Sequence, residues 1–132
     1  MSLERANLNH ANLSDSRLSH IMLSDADLRG ATLADAILSE VDLTKSDLRW
    51  ADLSNAAVVR TSVDGADMTG ANVSGANLGL LDGWQKEQLN ATFSDAETKW
   101  PEGCAYFLVD IRSRDRKNRE HDPRPRKPAA HN

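Results

Sequence analysis

Leucine recurs at every fifth residue, at positions 3, 8, 13, 18, 23, 28, 33, 38, 43, 48 and 53, and the column continues as Val58, Val63, Met68, Val73 and Leu78. Two residues before most of these stands a small side chain, Ala at 6, 11, 26, 31, 36, 51, 56, 66, 71 and 76 and Ser at 16 and 46. A straight α-helix cannot use this period. Five residues turn it by ~500°, so successive leucines land ~140° apart and form no stripe. A straight strand fails as well, because five is odd and alternate leucines would face opposite ways. The chain must turn once in each unit. The small residue and the Leu, two apart, share a face as in a short strand. The positions that follow are rich in turn formers: Ser14-Asp15, Ser24-Asp25, Ser54-Asn55, Thr69-Gly70 and Ser74-Gly75. Repeated turning with Leu inside predicts a solenoid.

The exceptions in the small column set the size of a coil. Its bulky or β-branched occupants are Met1, Ile21, Val41 and Thr61, spaced by 20 residues. Four units per coil make a four-sided helix, and sixteen units make about four coils stacked ~4.8 Å apart.

Ala6-Asn7-Leu8, Ala11-Asn12-Leu13, Ala26-Asp27-Leu28, Ala51-Asp52-Leu53, Ala66-Asp67-Met68, Ala71-Asn72-Val73 and Ala76-Asn77-Leu78 follow one pattern: Ala, then Asp or Asn, then an apolar residue. Over residues 1–80 the chain resembles the pentapeptide-repeat family. The resemblance implies an all-β solenoid, a right-handed quadrilateral β-helix. It also implies a scaffold or binding surface in place of a catalyst. Residues 82–103 resemble a segment that follows the repeats in many bacterial members, through Glu87-Gln88-Leu89, Ala91-Thr92-Phe93, Asp95, Thr98, Trp100-Pro101 and Gly103. After Gly103 the resemblance stops.

An open β-helix leaves unpaired backbone groups at its ends, so caps are expected. Residues 81–103 read as a short α-helical C-terminal cap. Asp82 with Gln85 and Ser94 with Glu97 have the spacing of capping boxes. Leu89, Phe93 and Ala96 would share a helical face, with Leu81 and Trp84 leading in, and Pro101-Glu102-Gly103 reads as a turn. No cap precedes the first repeat. Three readings stay open for that end: it pairs with a partner, it pairs with a second copy as a homodimer, or the chain is a truncated fragment without independent activity. Residues 104–132 divide into an apolar run, 104–109, and a charged stretch with Pro123, Pro125 and Pro128, expected to be disordered. Its basic cluster, Arg112, Arg114, Arg116, Lys117 and Arg119, is interrupted by Asp115, Glu120 and Asp122. A solvated tail is favoured over nucleic-acid contact.

Outward residues 20 apart should stack into ladders. Asn7, Asp27, Asp47 and Asp67 form one, with Arg29 and Arg49 beside it. Unit charges ~5 Å apart repel by ~0.8 kcal/mol in water, so flanking arginines make such a column tolerable. It reads either as an acidic strip imitating a DNA phosphate track or, preferably, as an ordinary ladder of the residue usual before Leu. Arg5, Asp25 and Lys45, and His20, Glu40 and Arg60, alternate in sign, as solubility and cross-coil pairing would require. Ile37, Ala57 and Val59 gather as an outward apolar patch, with Met22 round the adjacent corner. That patch is either a docking site or a seat for residues 104–109. Trp50 projects from a corner as a candidate contact residue.

Composition removes other classes. Aromatics make up only 5% and the net charge is −4, too small for a nucleic-acid binder. The acidic body, eleven Asp or Glu against six Lys or Arg over 1–80, gives way to a basic tail. Cys104 is alone, so no internal disulfide forms. The N-terminus lacks an apolar signal region, and no stretch approaches the ~20 apolar residues of a membrane span, so a cytoplasmic protein is expected. No glycine-rich phosphate loop, zinc-type spacing or Ser-His-Asp arrangement is legible. His10 and His20 belong to different faces. We therefore expect no catalytic, cofactor-binding or metal-binding residues and no enzyme. The expected role is a non-catalytic structural or protein-binding scaffold with an unidentified protein partner. The alternative implied by the resemblance is a DNA mimic that binds a type II topoisomerase such as gyrase, as some members do in protecting it from quinolones. Four coils reach ~19 Å.

Overall fold

A computed structural model describes residues 1–104. Four strands, β1 (Arg17–Ser19), β2 (Ile37–Ser39), β3 (Ala57–Ser62) and β4 (Asn77–Asp82), form one parallel sheet in chain order. Leu18 pairs with Leu38 and Leu38 with Val58, so each step of the ladder is 20 residues. The other three sides repeat at the same step through single parallel pairs: Ser2, Met22, Asp42 and Ser62 on one, Asn7, Asp27, Asp47 and Asp67 on the next, and Asn12, Thr32, Asp52 and Asn72 on the third. The coil is four-sided, as the 20-residue spacing predicts. We call the second of these the aspartate face and the β1–β4 side the sheet face. In chain order they are two sides apart, hence opposite.

The corners explain the repeat. In fifteen successive units the second residue after the Leu position, from Arg5 to Gly75, has φ between 47° and 73°. Left-handed backbone of this kind costs a non-glycine residue roughly 1–2 kcal/mol. Ladder hydrogen bonds offset it: His10 N–H donates to Arg29 O at 2.9 Å, and Ala11 N–H closes the turn onto Leu8 O at 2.9 Å. The residue before Leu contributes a second closure. Oδ1 of Asn7, Asn12, Asp27, Asp42, Asp47, Asp52, Asp67, Asn72 and Asn77 accepts the N–H two residues on, at 2.9–3.2 Å. Asp or Asn stands there because its side chain is short enough to take that proton.

One corner of the four differs. Among the described residues, Ile21 and Val41 lack the turn-closing bond that Ala11 makes. They follow the sheet face and belong to the bulky column. Val41 N–H instead donates to Thr61 Oγ1 (3.3 Å), and that hydroxyl donates to Val59 O (3.1 Å). A larger inward side chain thus fills an open corner, and buried Thr61 serves as both filler and hydrogen-bond partner.

Inside, Leu28, Leu33, Leu38, Leu48 and Leu78 stack at 0–1% exposure, with alanines filling the space between them. Burying each such Leu contributes about 1.5–3 kcal/mol. In the first coil, which has a neighbour on one side only, Leu8, Leu13 and Leu18 are half-buried and Leu3 is exposed.

The ladder continues beyond residue 80. Phe93 pairs with Asn72 and Lys99 with Asn77, so the chain makes a partial fifth coil. The helical cap expected over 81–103 is helical only in α1, Lys86–Asn90. Gln85, not Asp82, is the N-cap. Gln88 Oε1 accepts Gln85 N–H (2.5 Å), while Gln88 Nε2 donates to Val63 O (2.7 Å) and Ala66 O (3.0 Å). Where α1 replaces a strand, Gln88 therefore takes up Ala66 O, the carbonyl the ladder leaves open, and adds a second bond to Val63 O, which already closes the turn with Ala66 N–H. No helix starts at Ser94: Asp95 Oδ1 accepts Glu97 N–H (3.0 Å) and Gly75 N–H (2.9 Å), tying a turn to the coil above. Leu89 and Thr92 are buried, whereas Phe93 is half-buried and Ala96 exposed. Cys104 closes the described chain and is buried. The rest of the expected 104–109 run and the charged tail lie outside the described residues. No helix among the described residues is long and apolar enough to cross a membrane.

Candidate functional site

The aspartate face is an alternating ionic ladder. Arg29 grips Asp27 through Nε and Nη2 at 2.9 and 2.8 Å, and Arg49 grips Asp47 likewise at 2.9 and 2.6 Å. Each arginine also leans toward the next coil, Arg29 to Asp47 at 3.7 Å and Arg49 to Asp67 at 3.9 Å. Hydrogen bonds from Arg29 hold the Asp27 carboxyl well below the usual carboxylate range, and those from Arg49 lower Asp47. The same contacts raise both guanidiniums. Asp27, Asp47 and Asp67 therefore stand together as expected, but two cations sit among the three carboxylates. The sign-alternating corner also forms, with Glu40 lying 3.7 Å from His20 and 3.8 Å from Arg60.

Trp50 occupies the corner after this face, with 43% of its surface exposed. It is part of a column: His10, Gly30, Trp50 and Gly70 follow one another at 20 residues, each in the left-handed region. A Cβ at Gly70 would run into the Trp50 ring, and one at Gly30 would come within 2.8 Å of the His10 ring. Each ring thus lies against the bare glycine of the next coil. Trp50 is an aromatic packed against Gly70 and otherwise largely open to solvent. The alternation of ring and glycine at 20 residues is visible in the sequence once the coil length is known, and it escapes a reading that takes Trp50 alone.

On the opposite side, the sheet face carries Ile37 (42% exposed) with Ala57 and Val59 half-buried beside it. The structure adds Leu80, 58% exposed, which a register shift between β3 and β4 sets opposite Val59. Nothing in the repeat pattern marks that bulge. Met22 is exposed on the side between these two faces. The candidate residues therefore divide into two surfaces, Asp27, Asp47, Asp67 and Trp50 on one side, Ile37 and Val59 on the other. Among the described residues no three His, Cys, Asp or Glu side chains come together as a metal ion would need. Burial pushes the Cys104 thiol up to about 11.

Eight copies of the family model described as pentapeptide repeats match residues 2–23, 22–57 and 46–79. The chain belongs to the pentapeptide-repeat family. Among solved pentapeptide-repeat structures, one from the Arabidopsis thaliana thylakoid lumen aligns with a TM-score of 0.50 at 19% identity, covering 67% of this chain and 61% of that one. The present chain thus spans about three-fifths of that protein's length. The protein alr5209 from Nostoc Pcc 7120 is 29% identical over 83% of this chain and 80% of its own, with a TM-score of 0.41. QnrB1, a plasmid-mediated fluoroquinolone resistance protein, is 20% identical over 85% of this chain and 72% of its own, with a TM-score of 0.43. Comparison with curated proteins gave no match. The four-sided parallel ladder and the fold shared with the thylakoid-lumen pentapeptide-repeat protein make this a right-handed β-helix.

Proposed function

We propose that this pentapeptide-repeat protein is a non-catalytic protein-binding scaffold whose docking surface is anchored by Trp50. The observation that carries this reading is the Trp50 ring lying against Gly70. An aromatic side chain already fixed by its own scaffold loses little conformational freedom on binding, and such residues dominate interface energetics. The adjoining Asp and Arg ladder supplies a polar rim of both signs. The interior is filled by stacked leucines and alanines, so recognition rides on the outer faces.

Affinity capture from the native cell, with partners identified by mass spectrometry, tests this. A partner bound by the parent should be lost with Trp50→Ala at an unchanged melting temperature. Replacing Asp27, Asp47 and Asp67 together by Asn should weaken it less. A partner set indifferent to Trp50 would refute the assignment. The duplex-mimic alternative needs an acidic track, whereas Arg29 and Arg49 bind the carboxylates of this one. Micromolar protein should accordingly leave gyrase supercoiling unaffected, and inhibition would favour the mimic.

A further inference from the structure

We infer that Asp67 and Trp50 form a seat for one arginine side chain of the bound partner, an assignment that rests on Trp50 being the docking anchor. The aspartate face carries it. In the second and third coils the residue two after the aspartate is an arginine, and its bonds are the same each time. Oδ1 accepts the backbone N–H and Nε of that arginine, and Oδ2 accepts its Nη2, at 2.8 Å for Asp27 and 2.6 Å for Asp47. In the fourth coil the same place holds Thr69. Its N–H (3.1 Å) and its hydroxyl (2.7 Å) both donate to Asp67 Oδ1. The threonine thus reproduces the first two bonds. The third, the one to Oδ2, has no equivalent.

What Oδ2 of Asp67 does have is Arg49 Nε, at 3.9 Å from the preceding coil. That contact also belongs to the pattern, since Arg29 leans to Asp47 at 3.7 Å and Asn9 Nδ2 to Asp27 at 3.4 Å. Among the described residues no second cation pairs with Asp67. Its side chain is 53% exposed, against 28% for Asp27 and 29% for Asp47, so the carboxylate without its own arginine is also the open one. Three carboxylates against two guanidiniums leave the ladder one cation short, which sets the number of incoming arginines at one.

The second observation is where Trp50 stands. Its N–H donates to Thr69 O at 2.9 Å, and its ring lies against Gly70, the next residue. The exposed indole therefore flanks the very position from which a fourth-coil arginine is missing. A guanidinium entering there can turn one N–H edge to Asp67 Oδ2 and lay its plane on the indole, two contacts that its fixed planar fork makes together. This seat differs from an acidic track, because its specificity lies in one open acceptor beside one aromatic ring.

The full chain is tested with two peptides, acetyl-Gly-Arg-Gly-amide and the same peptide carrying citrulline, which keeps the shape of arginine and lacks its charge. Nuclear magnetic resonance reads binding from the Trp50 indole N–H and the Gly70 amide. The arginine peptide should shift both signals, and the citrulline peptide, at equal concentration and ionic strength, should shift them several-fold less. Asp67→Asn keeps the Oδ1 that Thr69 binds and should reduce the arginine shifts to the citrulline level. Thr69→Arg supplies the missing guanidinium from the chain itself, as Arg29 and Arg49 do one and two coils earlier. It should block the peptide equally, with a urea midpoint no lower than the parent's. Equal shifts from the two peptides, no shift from either, or arginine-specific shifts that survive in either variant would overturn the proposal. A partner captured through Trp50 yet indifferent to Asp67→Asn and Thr69→Arg would also overturn it while leaving Trp50 as the anchor, so the two assignments fail separately.

Discussion

The four repeat coils and the fifth, partial coil meet the same demand by different means. In residues 1–80 the units share one solution: an inward Leu, Val or Met, a backbone ladder to the next coil, a left-handed corner in fifteen of them and an Asx bond in nine. In residues 81–104 the ladder survives at Phe93 and Lys99, but side chains take over between them. Gln88 takes the carbonyls of Val63 and Ala66, and Thr98 Oγ1 donates to Val73 O at 3.0 Å. A chain that ends its stack must satisfy the last coil with groups able to reach it singly, which is why polar side chains with specific partners accumulate there.

The sharpest test asks whether the two regions unfold as one. Leu48→Ala in a middle coil should cost about 2–5 kcal/mol, because the neighbouring coils hold the cavity open. Urea unfolding followed by far-ultraviolet circular dichroism should show it. Leu89→Ala opens a similar cavity beneath α1, yet nearest-neighbour stacking confines its effect mainly to the end of the stack. The readout there is Cys104, whose buried, protonated thiol reacts slowly until the fifth coil opens. Leu89→Ala should expose it at urea concentrations that leave the repeat signal intact. Coincident transitions would make the two regions a single cooperative unit.

Gln88→Ala comes next. It leaves Ala66 O without its donor, at a cost of about 1–3 kcal/mol for a buried unsatisfied group, while Val63 O keeps the N–H of Ala66. Cys104 alkylation should again accelerate, with little change in the unfolding of residues 1–80. If Gln88→Ala behaved like the parent, water would be serving that carbonyl equally well.

The two regions also differed in how far they could be read from sequence. Coil size, the parallel ladder, the inward column and the stacking of Asp27, Asp47 and Asp67 all follow from periods of five and 20, because each coil sets the same geometric problem. The fifth coil has no period. Helix α1 is capped by Gln85 and not by Asp82 because Gln88 reaches Val63 and Ala66, a tertiary requirement that local capping signals at Asp82 cannot express. Asp95 binds Gly75 across coils, so the spacing of Ser94 and Glu97 misled. Leu80 turns outward through a register shift that its place in the column hides. At Trp50 the signal was present, since Gly70 lies 20 residues on, but it needed pairwise reading along the coil axis.

That pairing yields a smaller effect. Gly70→Ala should cost about 1–2 kcal/mol for left-handed backbone, plus the displacement of Trp50, whose ring occupies the space of the new methyl. Trp50→Ala removes the second contribution only. In a double-mutant cycle Gly70→Ala should be less costly in the Trp50→Ala background, a coupling expected for residues in contact. Additive costs would mean the ring swings away freely, and the fixed-anchor reading of Trp50 would then lose its basis.

The smallest effect separates two jobs of the aspartates, closing a turn and pairing with arginine. Asp27 and Asp47 are both lowered, chiefly by hydrogen bonds from Arg29 and Arg49. A carboxylate lowered on folding stabilises the fold above its unfolded value, ~3.9, and loses that contribution as pH falls through the folded one. The ionic contribution is thus complete at neutral pH and fades only in acid. Asp27→Asn keeps the Oδ1 that accepts Arg29 N–H and removes the charge. Its urea midpoint should lie slightly below the parent at neutral pH, as exposed ion pairs contribute little. The two should converge as pH drops below ~4. Asp27→Ala loses the turn bond as well and should stay below the parent at every pH. If Asn and Ala behaved alike, the side-chain closure would contribute nothing, and the reason given for Asp or Asn before each Leu would fail with it.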